Sequence, residues 1–128
     1  MWRMIGGAVA GIVVWIVVVT VLNLGLRYSW HDYAAVEKAM IFTFPMMAAR
    51  LLESAVSSIV SGWAAATIGK RLLSAKIAGL VLFLLFLPLH YSIWNKFPAW
   101  YHLTFLTSLV VLSVVGGMLA RKPGAQPA

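Results

Sequence analysis

The sequence predicts an all-α fold: a four-helix transmembrane bundle, both termini cytoplasmic, with helices at about 4–26, 45–69, 75–94 and 98–120. Three observations carry this. The first is composition. The 128-residue chain is 62% hydrophobic and 10% charged, where a soluble domain is about 45–50% apolar and about 25% charged. A water-soluble fold of this size has too little interior to hide so much apolar surface. The second is that the apolar residues fall into four runs, each near the roughly 20 residues that a helix needs to cross a bilayer core. The third is that the basic residues sit at the ends of those runs, where membrane topology puts them. The net charge of +7 therefore does not read as a nucleic-acid surface, which would gather its cations on one soluble face. There is no cysteine, which removes disulfides, thiolate metal sites and cysteine nucleophiles.

The first run, Met4 to Leu26, follows Arg3 and holds no charge. Leu22-Asn23-Leu24-Gly25-Leu26-Arg27, which follows Val21, is a poor cleavage site, so the run reads as a retained anchor rather than a signal peptide. Gly7 and Gly11 make a GxxxG, a spacing that lets helix backbones approach closely. The connection that follows carries Tyr28, Trp30 and Tyr33, which read as an interfacial aromatic belt. Ala34 to Phe42 fits either a short interfacial helix or extra turns of the second long helix. Pro45 suits a helix's first turn, where its missing N–H costs nothing, and equally suits a kink in a longer helix that starts near Tyr33.

The second helix, to Gly69, ends in Lys70-Arg71. Arg50, Glu53, Ser54, Ser57, Ser58 and Ser61 follow three/four spacing and share one face. Such a face belongs inside a bundle. The third helix contains a bulky run, Gly79 to Leu87, that reads as lipid-facing. Pro88 removes one backbone hydrogen bond near its end. Asn95-Lys96-Phe97 is a tight turn, Pro98 opens the fourth helix, and Arg121-Lys122-Pro123 stop it. Residues 1–122 form one transmembrane domain and 123–128 a short cytoplasmic tail. Arg3, Lys70, Arg71, Lys76, Arg121 and Lys122 lie on one side with no acid; Arg27, Lys38 and Lys96 lie on the other with Asp32 and Glu37. The positive-inside rule makes the first side cytoplasmic.

In this topology every helix places a polar group in the outer half: Asn23, then Arg50 and Glu53, then His90, then His102. Each histidine is six residues from Lys96, so the two fall at similar depth. Arg50 is about 8 Å of helical rise beyond Pro45 and can reach toward headgroups. Glu53 lies deeper. It must pair with Arg50, accept from Asn23 or a histidine, or take up a proton. Four uses are open. Arg50 and Glu53 can form a structural pair that fixes packing. Glu53 can handle a proton or ion. Arg50 can bind a lipid headgroup or small anion. His90, His102 and Glu53 can make an enzyme or metal site, although no recognised ligand spacing is present. No GxSxG or SxxK occurs. The leading expectation is a structural or accessory membrane protein, non-catalytic, without cofactor or nucleic acid, partnered by the lipid bilayer and by itself or another membrane protein.

The segment Leu87-Pro88-Leu89-His90-Tyr91-Ser92-Ile93-Trp94-Asn95-Lys96-Phe97-Pro98-Ala99-Trp100-Tyr101-His102 resembles small, uncharacterised four-helix inner-membrane proteins of bacteria. Met4 to Gly11 and Asn23 to Arg27 are similar too. The resemblance implies a bacterial inner-membrane location and carries no activity or site residues. The chain lacks the first-helix glutamate of the small multidrug transporters and the motifs of fluoride channels.

Overall fold

The computed structural model describes residues 2–36 and 42–120. These form α1 (Trp2–Ser29), α2 (His31–Val36), α3 (Phe44–Gly69), α4 (Leu72–Ser92) and α5 (Ala99–Ala120), with a single 3-10 turn, Trp94–Lys96, between α4 and α5. By length and composition, α1, α3, α4 and α5 could each cross a membrane. Glu37, Lys38, Arg121, Lys122 and the expected tail at 123–128 lie outside the described residues.

The helix ends follow local chemistry. α1 runs beyond Leu26 to Ser29, so Arg27 stands on its last turn rather than in a loop. A long α3 reaching back to Tyr33 is ruled out by Thr43, which is extended (φ −75°, ψ 169°) and places Pro45 in the first turn of α3. α3 ends at Lys70, which takes the left-handed conformation (φ 62°) common at helix C-termini. The neighbouring Gly69 serves packing instead, since a Cβ there would collide with the Ser74 side chain. α4 continues through Pro88 to Ser92, whereas the expected third helix runs 75–94.

α3 is the central helix. It is the least apolar of the four long helices, yet Ser54, Ser57, Ser58 and Ser61 are fully buried along it. Its small residues bring two neighbours to backbone contact. On one side, a Cβ at Gly7 of α1 would lie 2.6 Å from the Ala65 carbonyl oxygen. On another, a Cβ at Gly62 would strike the Ser113 carbonyl of α5. Polar bonds join the same faces: Ser61 Oγ donates to the Gly11 carbonyl at 2.6 Å, and Trp15 Nε1 donates to Ser58 Oγ at 3.1 Å. Near the first turns of α1, Ser74 Oγ donates to the Met4 carbonyl at 3.1 Å.

The apolar core is in two parts. Ala8, Ala65, Ala66, Ala75 and Ala78 pack where the helices are closest. Trp15, Leu82, Phe105, Leu106 and Leu109 fill the wider half. The run Gly79 to Leu87 is not a uniform outward face as expected. Leu80, Leu84, Leu85 and Leu87 are exposed, but Leu82 is buried and Gly79 lies against Leu109, Val110 and Ser113. The bundle's flanks are apolar: Val9, Val13, Ile16, Val17 and Val21 on α1 and Leu103, Val111, Met118 and Leu119 on α5 are all exposed.

Candidate functional site

The polar groups collect at the end of the bundle where α1 finishes and α3 and α5 begin. Arg50, on the second turn of α3, is the hub. Its Nη1 donates to Tyr33 Oη of α2 at 2.9 Å. Its Nε donates to Tyr101 Oη of α5 at 3.1 Å. Its guanidinium carbon lies 4.8 Å from the centre of the Phe42 ring, within reach of a cation–π attraction. Tyr33 Oη in turn donates to Asn23 Oδ1 of α1 at 2.7 Å. One arginine thus ties together α1, α2, α3, α5 and the segment before α3.

Stacked rings hold this network in place. Tyr33 stacks on Phe42 (5.4 Å between centroids), Phe42 on Phe97 (5.7 Å) and Phe97 on Tyr101 (4.4 Å). Tyr33 and Tyr101 are almost fully buried, so their hydroxyls need partners, and Arg50 supplies one to each.

The two histidines, expected only to lie at similar depth, meet. His90 Nδ1 and His102 Nδ1 are 2.7 Å apart, and both rings are buried. His102 Nε2 lies 3.1 Å from the Trp94 carbonyl oxygen. A carbonyl only accepts, so His102 Nε2 must carry the hydrogen. With both rings neutral, His102 Nδ1 is then the acceptor and His90 Nδ1 the donor. The pair is a directed relay from His90 to His102 to the backbone. The Tyr101 ring stacks on His90 at 6.2 Å, which places the relay beside the arginine network. His31 is exposed on α2 and belongs to neither.

Glu53 is one turn beyond Arg50, and its Oε1 is buried. A cavity of about 330 Å³ lies between α1, α3, α4 and α5. Its polar lining is Thr20, Asn23, Arg27, Arg50, Glu53 and Tyr101; its apolar lining includes Trp15, Phe86 and Phe105. The structure therefore brings Asn23, Arg50 and Glu53 around one space and puts His90 and His102 next to it. Among the described residues no three histidine, aspartate or glutamate side chains form a group that could hold a metal ion; His90, His102 and Glu53 do not form one.

Sequence reasoning missed Tyr33, Phe42 and Arg27 as site residues. Tyr33 carried the same aromatic-belt signature as the exposed Tyr28. Arg27 did carry a signal: it is four residues beyond Asn23, on the same helical face, provided the helix continues.

The chain matches no protein-family model, no curated protein and no solved structure. The likeness to small bacterial inner-membrane proteins thus rests on its quoted segments alone. Fold and site define a small helical bundle with four candidate membrane-spanning helices and a polar cavity at one end.

Proposed function

We propose that this is a polytopic integral membrane protein of the bacterial inner (cytoplasmic) membrane, both termini cytoplasmic, with a structural or accessory and non-catalytic role. It works in the lipid bilayer with a second copy of itself or with another membrane protein. The observation that carries this reading is the bonding of Arg50. Its guanidinium is held by Tyr33, Tyr101 and the face of Phe42, groups from three parts of the chain. That is how a buried charge fixes one packing arrangement. The apolar flanks of the bundle support the membrane setting, since the hydrocarbon core has no water to repel them.

Two measurements test it. The chain has no cysteine, so single cysteines report sidedness directly. Ala34→Cys should react with an impermeant maleimide on intact spheroplasts, and Gln126→Cys only after permeabilisation; the reverse pattern overturns the topology. For the role, Arg50→Ala and Glu53→Gln should both lower the yield of folded protein.

A second reading is favoured by one observation: Glu53 lines the cavity, where a proton- or ion-coupled transporter would place its carboxylate. If Glu53→Gln keeps full yield but abolishes proton-coupled flux in liposomes, this reading replaces the first.

A further inference from the structure

We propose that the end of the bundle carrying Arg3, Arg71 and Lys76 binds an anionic phospholipid, its phosphate against these cations and an acyl chain along the leucine face of α4. This rests on the membrane reading above, which the cysteine labelling tests by itself. Lipid retention in detergent is read without reference to sidedness, so the two can fail separately.

The first argument is proximity. The first turn of α1 packs on the turn between α3 and α4. Ser74 Oγ donates to the Met4 carbonyl at 3.1 Å, and a Cβ at Gly69 would lie 3.4 Å from the Arg3 carbonyl oxygen. Arg3 therefore adjoins the turn that holds Arg71, and Lys76 follows on the second turn of α4. Segments far apart in sequence thus bring three cations to one end of the bundle, and all three are exposed.

The second argument is charge. Among the described residues the acidic side chains are elsewhere. Asp32 is on α2, and Glu53 precedes Gly69 on α3 by about 24 Å of helical rise. Like charges grouped without an acid raise the local potential and draw an anion. A headgroup with one net negative charge answers that potential. The ammonium of phosphatidylethanolamine meets the same cations and is repelled.

The third argument is what lies beside the charges. Lys76, Leu80, Leu84 and Leu87 recur at three/four spacing and share one face of α4. The three leucines are exposed, and the face runs for about 16 Å from Lys76. On α1, Arg3 is likewise followed by exposed Ile5 and Val9. A free phosphate would use the cations alone. A phospholipid uses the cations and the apolar face together, so the occupant is a lipid of the leaflet at this end. Basic groups at the membrane surface attract anionic lipids in just this setting.

Native mass spectrometry of the full chain in mild detergent tests this, with phosphatidylglycerol or phosphatidylethanolamine of the same acyl chains added. Phosphatidylglycerol should be retained on the order of tenfold more strongly. Lys76→Gln and Arg71→Gln should each lower its retention roughly fivefold, the effect of one cation near an anionic headgroup, and Lys76→Arg should restore it. Lys96→Gln removes an exposed cation in the turn between α4 and α5 and should leave retention unchanged. Circular dichroism should give the same helix content throughout, since every substituted side chain is exposed. Equal retention of the two lipids overturns the proposal. So does a loss in Lys96→Gln as large as in Lys76→Gln, which would make net charge the cause. Displacement by millimolar glycerophosphoglycerol, the headgroup without chains, overturns it as well, because the leucine face would then play no part.

Discussion

Tyr33→Phe removes a single oxygen and tests the Arg50 network directly. That oxygen accepts from Arg50 Nη1 at 2.9 Å and donates to Asn23 Oδ1 at 2.7 Å. The ring remains, so its stacking on Phe42 and Trp30 is kept. Hydrogen bonds between membrane helices average about 0.6 kcal/mol and reach about 1.7 kcal/mol. The neutral bond to Asn23 is assigned the average and the charge-assisted bond to Arg50 the upper figure, so the loss is about 2 kcal/mol. Tyr101→Phe loses only the bond from Arg50 Nε at 3.1 Å and should cost about 1–1.5 kcal/mol. The two variants share one guanidinium, so their effects should not add. With both hydroxyls gone the side chain is released toward water or headgroups, and the double variant should fall short of the sum by more than about 0.5 kcal/mol. The assay is reversible unfolding in mixed detergent micelles followed by circular dichroism, with Tyr28→Phe and Tyr91→Phe as controls at exposed positions. Single variants indistinguishable from the controls, or strict additivity, would refute the idea that Arg50 organises this end of the bundle.

Three further outcomes are expected. Gly62→Ala places a methyl group against the backbone of Ser113 and should destabilise by about 1–3 kcal/mol or more, while Gly25→Ala, with open space around its Cβ position, should be neutral or stabilise by roughly 0.5–1 kcal/mol through helix propensity; thermal unfolding compares them. Trp15→Phe loses the bond to Ser58 but keeps an aromatic ring beside Phe86 and Phe105, so unfolding should show a loss of about 1 kcal/mol, and Ser58→Ala made in the same background should add little. Nitrogen-15 chemical shifts at neutral pH should report His102 as the Nε2–H tautomer and His90 as the Nδ1–H tautomer; the opposite assignment at His102 would contradict its bond to the Trp94 carbonyl.

The number of long helices and the inward face of α3 were legible because both depend on local pattern. Arg50, Glu53 and the serines recur at helical spacing, and a polar stripe in an otherwise apolar chain has only the interior to face. The similar depth of His90 and His102 was also legible, because two antiparallel helices joined by a short turn bring residues equidistant from it to one level, but their contact at 2.7 Å was not. What could not be read was long-range. Tyr33 and Tyr28 have the same chemistry and lie five residues apart in one aromatic stretch, and only the packing of α2 under Arg50 separates the buried ring from the exposed one. Gly79 sits in a run of bulky apolar residues that sequence reads as outward, yet its missing side chain admits α5. Arg27 was placed outside the first helix because the apolar run stops at Leu26, whereas backbone hydrogen bonding carries α1 on to Ser29.

The partners of Arg50 bear on what this end of the bundle is for. A carboxylate would hold a guanidinium more strongly than a phenol does, because it adds a full opposite charge. Two phenols and a ring face hold it in position and leave its charge intact. Tyr33 also passes the polarisation on, accepting from Arg50 and donating to Asn23, so the chain of bonds runs outward from the cation. The second relay, His90 to His102 to the Trp94 carbonyl, is likewise directed, and Tyr101 stands between the two. Both relays fix side chains by hydrogen bonds to neutral acceptors. Such an arrangement gives rigidity without neutralisation, and rigidity without neutralisation is what presents a charge to a cavity. Removing the phenols should therefore loosen the guanidinium as well as lower stability.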